Sequence, residues 1–420
     1  MKERIILHID VNNAFLSWSA IDMLKNGYKY DIRNRYAIIG GDESQRRGIV
    51  LAKSNLCKKK GVITAETIYN ARRKCPYLDV YPPNYKIYKE YSNKMYNYLL
   101  QYTDIIERYS IDECFLDYTY SKLLFGDPIK IAYKIKEDIK KNFGFTVNVG
   151  IGNNKLCAKM ASDFSKPDKV HTLFEYEIKQ KMWPLPIEEL FMIGKSSAKK
   201  LKELGINTIE DLAKTNPNTL SKYFKNRTIS MIESANGIDN SKVEYEYSDP
   251  KSISSSTSLP YNYKNKEEIY TVLKELTIDT ATRLRKSNLY AQNVSIWIKY
   301  VDFTKISKQI KLNNPISNDI DIYNNAIKLF NKIWNEEPIR ALCVGVSDLT
   351  KTNSIQLDLF SKNNNIKEEK KQDKKLQETI DKLNKKYKNI ITYADTITKK
   401  QKEGNYEQKY NKWNSNWIKH

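Results

Sequence analysis

YSIDECFLDY, residues 109–118, sets two carboxylates, Asp112 and Glu113, side by side in a run whose other members seek a core. Ile111, Cys114, Phe115 and Leu116 read as buried strand. Burying unpaired charge is costly, so something must compensate these acids. Neighbours on a straight strand point to opposite faces. A turn or bulge must therefore bring both acids to one place, and a hairpin between Ile105–Ser110 and Cys114–Tyr118 would do so. Asp10 is the third acid. It ends the apolar strand IILHID, residues 5–10, just before a helix start capped by Asn13. Three carboxylates crowded together cannot all stay ionised without a cation. Mg²⁺ binds through a few carboxylates and completes its shell with substrate phosphates and water, and two such ions suit phosphoryl transfer. The alternative is local: Asp112 caps a turn and Glu113 pairs with a lysine.

The chain has 420 residues and a formal net charge of +21. That length predicts several domains. The charge attracts polyanions, nucleic acid first and an anionic membrane surface second; a solvated Lys- and Asn-rich bias is the bland reading. No apolar run approaches the length of about 20 residues that crosses a membrane. The five cysteines are scattered without a CxxC pair, against a zinc site or a disulfide framework, and predict a reducing cytoplasm.

Elements alternate in type along residues 1–172, predicting an α+β core. Residues 184–240 read as short helices broken by Gly194 and Gly205, and residues 241–256 as a polar, Ser-rich linker. Strand 252–259, helix 265–286, strands 291–300 and 305–312, helix 319–335 and strand 339–348 give a βαββαβ order, the ferredoxin-like plan. Past Phe360 the chain is rich in Lys, Asn, Gln and Glu, and this tail is expected to be mobile.

HIDVNNAF at 8–15, SIDECFLD at 110–117 and NKLCAKMASD at 154–163 closely resemble the motifs of the Y-family translesion DNA polymerases of the DinB type, in that family's order. The resemblance covers roughly residues 4–360. It implies an α+β right hand: palm at 1–25 and 80–172, fingers at 26–79, and a helical thumb with a helix-hairpin-helix at 173–240. A linker at 241–249 leads to a βαββαβ little finger at 250–348. Residues 349–420 would hold a clamp-binding peptide and the basic tail. The activity implied is template-directed addition of dNTPs to a primer 3′-OH, with low fidelity, no proofreading and a role in DNA damage tolerance.

Carried over residue by residue, the resemblance makes Asp10 and Asp112 ligands of two Mg²⁺ ions, with Glu113 on the catalytic ion and the Val11 carbonyl adding an oxygen. Phe15 falls at the steric gate that excludes a 2′-OH; from the residues alone it is equally a core side chain of the first helix. Lys155 matches the triphosphate-binding lysine. Lys58 and Asn55 stand where the family has an arginine and a tyrosine, so the bidentate fork is lost. Gly194 and Lys195 fit the DNA-phosphate turn of the helix-hairpin-helix, although Met192 replaces a second glycine. Arg283 and Arg285 in TRLRKSN, with Lys299, would meet phosphates. QLDLF resembles the bacterial sliding-clamp peptide, with Gln356, Leu357, Leu359 and Phe360 entering a groove of the clamp β subunit. The implied partners are primer-template DNA, dNTP and that clamp, for a monomer with no membrane association. Two other functions fit part of the pattern: a Mg²⁺-dependent nuclease using the same acids, and a catalytically silent DNA- and clamp-binding accessory protein.

Overall fold

Strand β1 (Ile6–Val11) carries six buried residues in a row because both of its faces are covered. Leu7, Ile9 and Val11 face a core containing Trp18, Met95, Ile135 and Phe145. Ile6 faces the opposite way, into a cluster with Phe115, Ala158 and Val243. This is a computed structural model, and it describes residues 4–44, 46–246, 248–352, 379–380 and 382–383. Its contacts define two units, Met1–Gly41 with Ile49–Tyr247, and Asp42–Gly48 with Ser248–His420.

In the first unit, helix α1 (Ala14–Lys25) follows β1 almost at once. Asn13 holds the N-cap position as expected, but its side chain makes no capping bond. Its backbone is left-handed at φ 48°, a state asparagine tolerates, and the residue serves as the corner between strand and helix. A small sheet follows, built from β2 (Ala37–Gly40), β3 (Val50–Lys53) and β4 (Asp79–Tyr81), with β2 in the middle. Helices α2 (Asn55–Lys59) and α3 (Ile68–Lys74) lie between β3 and β4 in the chain; Ser54 and Thr67 cap them through their hydroxyls.

Helix α4 (Tyr85–Leu99) leads to β5 (Ile106–Arg108) and β6 (Glu113–Asp117). After the short α5 (Lys122–Phe125), α6 (Pro128–Phe143) opens on Asp127, whose carboxylate accepts two backbone N–H bonds, and closes on Gly144 at φ 82°. Then come β7 (Val147–Gly152), α7 (Lys155–Asp163) and β8 (Val170–Leu173). The main sheet runs β5-β6-β1-β7-β8, so β1 sits at its centre.

Gly150 sets the spacing between α7 and this sheet. A Cβ at that position would come 1.9 Å from the Ala158 carbonyl oxygen and 2.4 Å from the Ser162 nitrogen. Only glycine admits such an approach, and α7 therefore lies directly on β7. The unit closes with α8 (Lys195–Glu203), α9 (Ile209–Ala213), α10 (Pro217–Phe224) and α11 (Thr228–Ala235) around Leu201, Ile209, Leu212 and Leu220.

The second unit runs β9 (Ser252–Tyr263), α12 (Lys266–Lys286), β10 (Tyr290–Tyr300), β11 (Lys305–Ile316), α13 (Asp319–Ile333), β12 (Ile339–Thr350), the βαββαβ order expected. Its sheet order is β11-β10-β12-β9. Each helix crosses over one intervening strand, so both βαβ units are split. The second and last strands are central here, whereas the ferredoxin-like plan centres the first and third. The element order is the one expected, and the strand order departs from that of the ferredoxin-like plan. The fold is α+β. Among the described residues no helix is long and apolar enough to cross a membrane.

Candidate active site

The register of β1 and β6 brings two of the acids together. Asp10 lies directly opposite Glu113, and partners across an antiparallel pair share a face. Asp112 precedes β6 in a tight turn: the Tyr109 and Ser110 N–H groups both donate to the Glu113 carbonyl, at 3.0 and 3.2 Å. The Val11 N–H donates to the Asp112 carbonyl at 3.1 Å, fixing that turn beside the end of β1. Ser110 Oγ donates to Asp112 Oδ1 at 2.7 Å.

Two lysines compensate the acids. Lys159 Nζ donates to Glu113 Oε1 at 2.7 Å and stands 3.4 Å from Asp10 Oδ2. Lys166 Nζ donates to Asp10 Oδ2 at 2.5 Å and to Asp163 Oδ1 at 2.8 Å. Burial alone would lower both ammonium pKa values, but Asp10 and its neighbouring acids outweigh it and raise them. Burial raises Glu113, Asp10 and Asp112 push the same way, and Lys159 opposes them. The His8 ring behind Glu113 is held well below its ordinary pKa by burial, then by Lys159 and Lys166, and is neutral.

These groups open onto a cavity of about 360 Å³, within the size range of small-molecule sites. Asp10, Val11, Phe15, Asn55, Lys58, Asp112 and Glu113 all line it. The Phe15 ring stacks on Tyr88, with centroids 4.4 Å apart and 6° between planes, so one edge belongs to the core and the other to the cavity. Asn55 and Lys58 come from α2 on the far wall. Asn12, Asn13, Lys53, Thr64, Lys159 and Lys166 complete the polar lining. Lys53 donates to Thr64 Oγ1 at 2.9 Å; burial, then Lys58, lowers its pKa.

Lys155 is not in this lining. Its ammonium donates to both Glu107 oxygens, at 2.8 and 2.7 Å, and approaches the Lys242 carbonyl at 3.4 Å. The direction of α7 explains why. Strand β7 ends at Gly152, opposite Ile6, at the far end of β1 from Asp10. The helix then runs back, and at 1.5 Å per residue Lys155 lies about 6 Å short of Lys159. Lys159 stands inside the quoted NKLCAKMASD and Lys166 just beyond it. The reversal of chain direction was the signal that could have selected them. Asn148, opposite Asp10 on β7, holds the end of α7 through the Ser162 and Ser165 carbonyls, at 2.9 and 2.6 Å.

The remaining candidates lie elsewhere. Gly194 caps α8, Lys195 is its first residue, both are exposed, and a Cβ at Gly194 would meet open space. Met192 is left-handed at φ 72°, the conformation that suits the missing glycine. Arg283 donates to the Ser254 carbonyl and, at 2.8 Å, to Ser255 Oγ. Arg285 is turned inward: it donates to Asp319 Oδ1 at 2.6 Å and the Ser317 carbonyl at 3.0 Å, and both side chains of the ion pair are largely buried. Gln356, Leu357, Leu359 and Phe360 lie outside the described residues.

A divalent cation fits this site by donor type. The acids offer hard oxygens, and the Lys159 ammonium already occupies a cation's place between Asp10 and Glu113. Among the described residues, no three His, Cys, Asp or Glu side chains form a ligand group as they stand.

The impB/mucB/samB family pattern matches residues 9–163, its C-terminal domain matches 250–359, and its HHH motif matches 177–206. The chain is 45% identical over 400 residues to DNA polymerase IV of Clostridium acetobutylicum, covering 95% of this chain and 100% of that protein. It is 33% identical over 417 residues to DNA polymerase IV 1 of Bacillus subtilis, covering 98% and 97%. A solved Y-family DNA polymerase chimera of Dbh and Dpo4 superposes with a TM-score of 0.71 at 25% identity, over 83% of this chain and 100% of that one. DinB from Sulfolobus solfataricus gives 0.54 at 25% identity, over 82% and 98%. With the acid cluster on adjacent strands, these likenesses establish that the chain belongs to the impB/mucB/samB family of Y-family DNA polymerases, among those of the DNA polymerase IV type.

Proposed function

We propose that the cavity beside Asp10, Asp112 and Glu113 is the nucleotidyl-transfer centre of this translesion, DNA-directed DNA polymerase. The observation that carries the reading is the pairing of Asp10 with Glu113 across β1 and β6, at the floor of a cavity whose walls are cationic. The family relationship does not favour a nuclease or a silent accessory protein.

Family membership brings a general dependence on divalent metal. Asp10, Asp112, Glu113 and the Val11 carbonyl would hold two Mg²⁺ ions, which neutralise charge on the attacking and leaving oxygens. The chain's own residues do the rest. Lys53, Lys58 and Lys166 present ammonium groups to a triphosphate, and Asn55 adds a neutral amide. The primer 3′-OH gives up its proton to water as its oxygen bonds to the α-phosphorus; the α–β phosphoanhydride bond breaks, and pyrophosphate leaves. Phe15, braced on Tyr88, lies under the sugar and leaves no room for a 2′-OH. Lys159 and Lys166 keep the acids compensated when no other cation is present.

Primer-template DNA would be held at the open start of α8, where Gly194 and Lys195 offer N–H groups and charge to a phosphate. Arg283 remains a candidate phosphate contact, and Arg285 is better explained by its buried pair with Asp319. QLDLF at 356–360 would tether the enzyme to a sliding clamp, raising its effective concentration at a primer end. Five unpaired, buried cysteines support residence in a reducing cytoplasm.

The deciding experiment is primer extension with Mg²⁺ and dNTPs, comparing wild type with Asp112→Ala/Glu113→Ala. Template-directed extension by the wild type alone is expected. Extension by both would remove the acids from the chemistry, and shortening of the primer without dNTPs would point to a nuclease.

A further inference from the structure

His8 is the polar residue on β1 that the scheme above leaves without a task. It lies two residues before Asp10, on the same face of the strand, and its ring is fully buried. Its register partners are Phe115 on β6 and Gly150 on β7. The missing side chain at Gly150 lets α7 approach until Ser162 Oγ is 2.8 Å from His8 Nδ1. The ring also packs on Phe115, with centroids 4.5 Å apart. Held on two sides, the ring aims Nε2 at Glu113, whose Oε2 is 3.9 Å away. Nε2 has no hydrogen-bond partner, a rare condition for a buried polar atom. The other Glu113 oxygen, Oε1, is the one bound by Lys159.

We propose that His8 is a positioning residue for Glu113: in the reacting centre its Nε2–H donates to Oε2 and sets the carboxylate's direction, leaving Oε1 to face a cation. The proposal rests on the reading of Asp10, Asp112 and Glu113 as metal ligands. Ser162 supplies the control. Its hydroxyl now donates to the Lys159 carbonyl at 2.8 Å, so it accepts from His8 Nδ1–H and leaves Nε2 bare. Turning that hydroxyl onto Nδ1 favours the other tautomer. The ring keeps one proton throughout, carried at Nε2 instead of Nδ1, and the 3.9 Å gap closes by a small rotation of the Glu113 side chain. Partners of this kind behind a ligating carboxylate orient it and tune the bound ion.

The test uses the full chain and Mn²⁺ alone as probe, with binding followed by electron paramagnetic resonance without DNA or nucleotide. Single-turnover extension is measured in parallel. His8→Phe keeps a ring against Phe115 and removes both nitrogens. It is expected to weaken Mn²⁺ binding and slow the chemical step by roughly tenfold or more, with the dNTP KM and primed-DNA Kd unchanged. His8→Gln, whose amide N–H reaches the Nε2 position, is expected to restore most of the loss. Ser162→Ala removes only the hydroxyl and is expected to move both readouts in the same direction, less far; it decides the matter if His8→Phe does not fold. Wild-type Mn²⁺ binding in the folded variants would overturn the proposal, as would a His8→Gln variant no better than His8→Phe. Glu113→Ala separates the two levels. If it binds Mn²⁺ like wild type, the reading of the acid cluster fails. If it loses binding while His8→Phe does not, only the role of His8 fails.

Discussion

Asp10 and Glu113 are register partners on adjacent antiparallel strands, and the Lys159 ammonium lies between their carboxylates. Like charges directly opposite destabilise a sheet, so in this arrangement the lysine is a built-in counter-ion. Lys159→Met should destabilise the metal-free protein by about 3 kcal/mol, because it leaves the acid pair underneutralised in a buried setting. A divalent cation should then recover part of that loss. Thermal melts in chelator and in Mg²⁺ check this: Mg²⁺ is expected to raise the variant's midpoint more than the wild type's. Equal responses would mean that Lys159 and the ion do not share a place.

Phe15 is half-buried, with its ring stacked on Tyr88 and its edge in the cavity. Phe15→Ala opens space beside the incoming sugar. Discrimination between dNTP and rNTP, read as a ratio of kcat/KM, should fall by about tenfold or more. The variant should also lose roughly 2 kcal/mol of stability from the broken aromatic packing. A melt shift with unchanged sugar selection would make Phe15 a core residue only.

Lys155, which the resemblance sets on the triphosphate, pairs with Glu107 outside the cavity lining, whereas Lys166 lines the cavity. Lys155→Ala breaks a partly buried pair with Glu107, whose remaining contact includes the Glu244 N–H at 2.8 Å. It should cost roughly 2–3 kcal/mol of stability and leave the dNTP KM unchanged. Lys166→Ala should raise that KM, since Lys166 lines the cavity. Steady-state kinetics beside melting curves distinguish them. A KM effect confined to Lys155→Ala would restore the motif-based assignment.

The difference between these two lysines marks how far the sequence could be read. Asp10, Asp112 and Glu113 were legible because acids in apolar strands violate burial rules wherever they occur. The βαββαβ order of 252–350 was legible from hydrophobic periodicity, but strand order depends on pairing between residues far apart in the chain. Lys159 and Lys166 were hidden because a lysine reads as solvated until the direction of α7 over β7 is known. Arg285 likewise reads as solvated from sequence, because its partner, Asp319, lies 34 residues away on another helix. His8 looked like one more member of a buried strand until Gly150 and Ser162 were seen around it.

Met192 is a substitution the chain tolerates at some cost. Its backbone is left-handed at φ 72° and its side chain is 69% exposed, so no packing offsets the strain. Met192→Gly should stabilise the first unit by about 0.5–1 kcal/mol, the relief of a left-handed non-glycine less the entropy of a glycine in the unfolded chain. If α8 meets DNA at its start, the same change should leave primed-DNA affinity equal or tighter. Destabilisation on melting would show that the side chain makes a contact worth more than the strain.

Asp168 gives a prediction with a defined pH sign. Lys136, itself buried, donates to Asp168 Oδ1 at 3.0 Å, and Lys140 donates to Oδ2 at 2.9 Å. Burial pushes the Asp168 carboxyl up, but the bonds from Lys140 and Lys136 outweigh it and hold the group below the usual carboxylate value. A folded-state pKa below the unfolded one contributes stability that is fully present above the unfolded value of about 3.9 and is lost as pH falls through the folded value. The residue also has a left-handed backbone at φ 61°, which asparagine accepts as readily as aspartate. Asp168→Asn therefore removes the charge without imposing a new backbone. It should lower stability at neutral pH by about 1–2 kcal/mol, with Lys136 still paired to Glu137 at 2.6 Å. Melting curves of both proteins across the acid range should converge as pH drops past the carboxylate region. A gap of constant size down to the lowest pH would mean that the loss comes from packing or from the Asp168 N–H bond to Asn12, and not from the ion pairs.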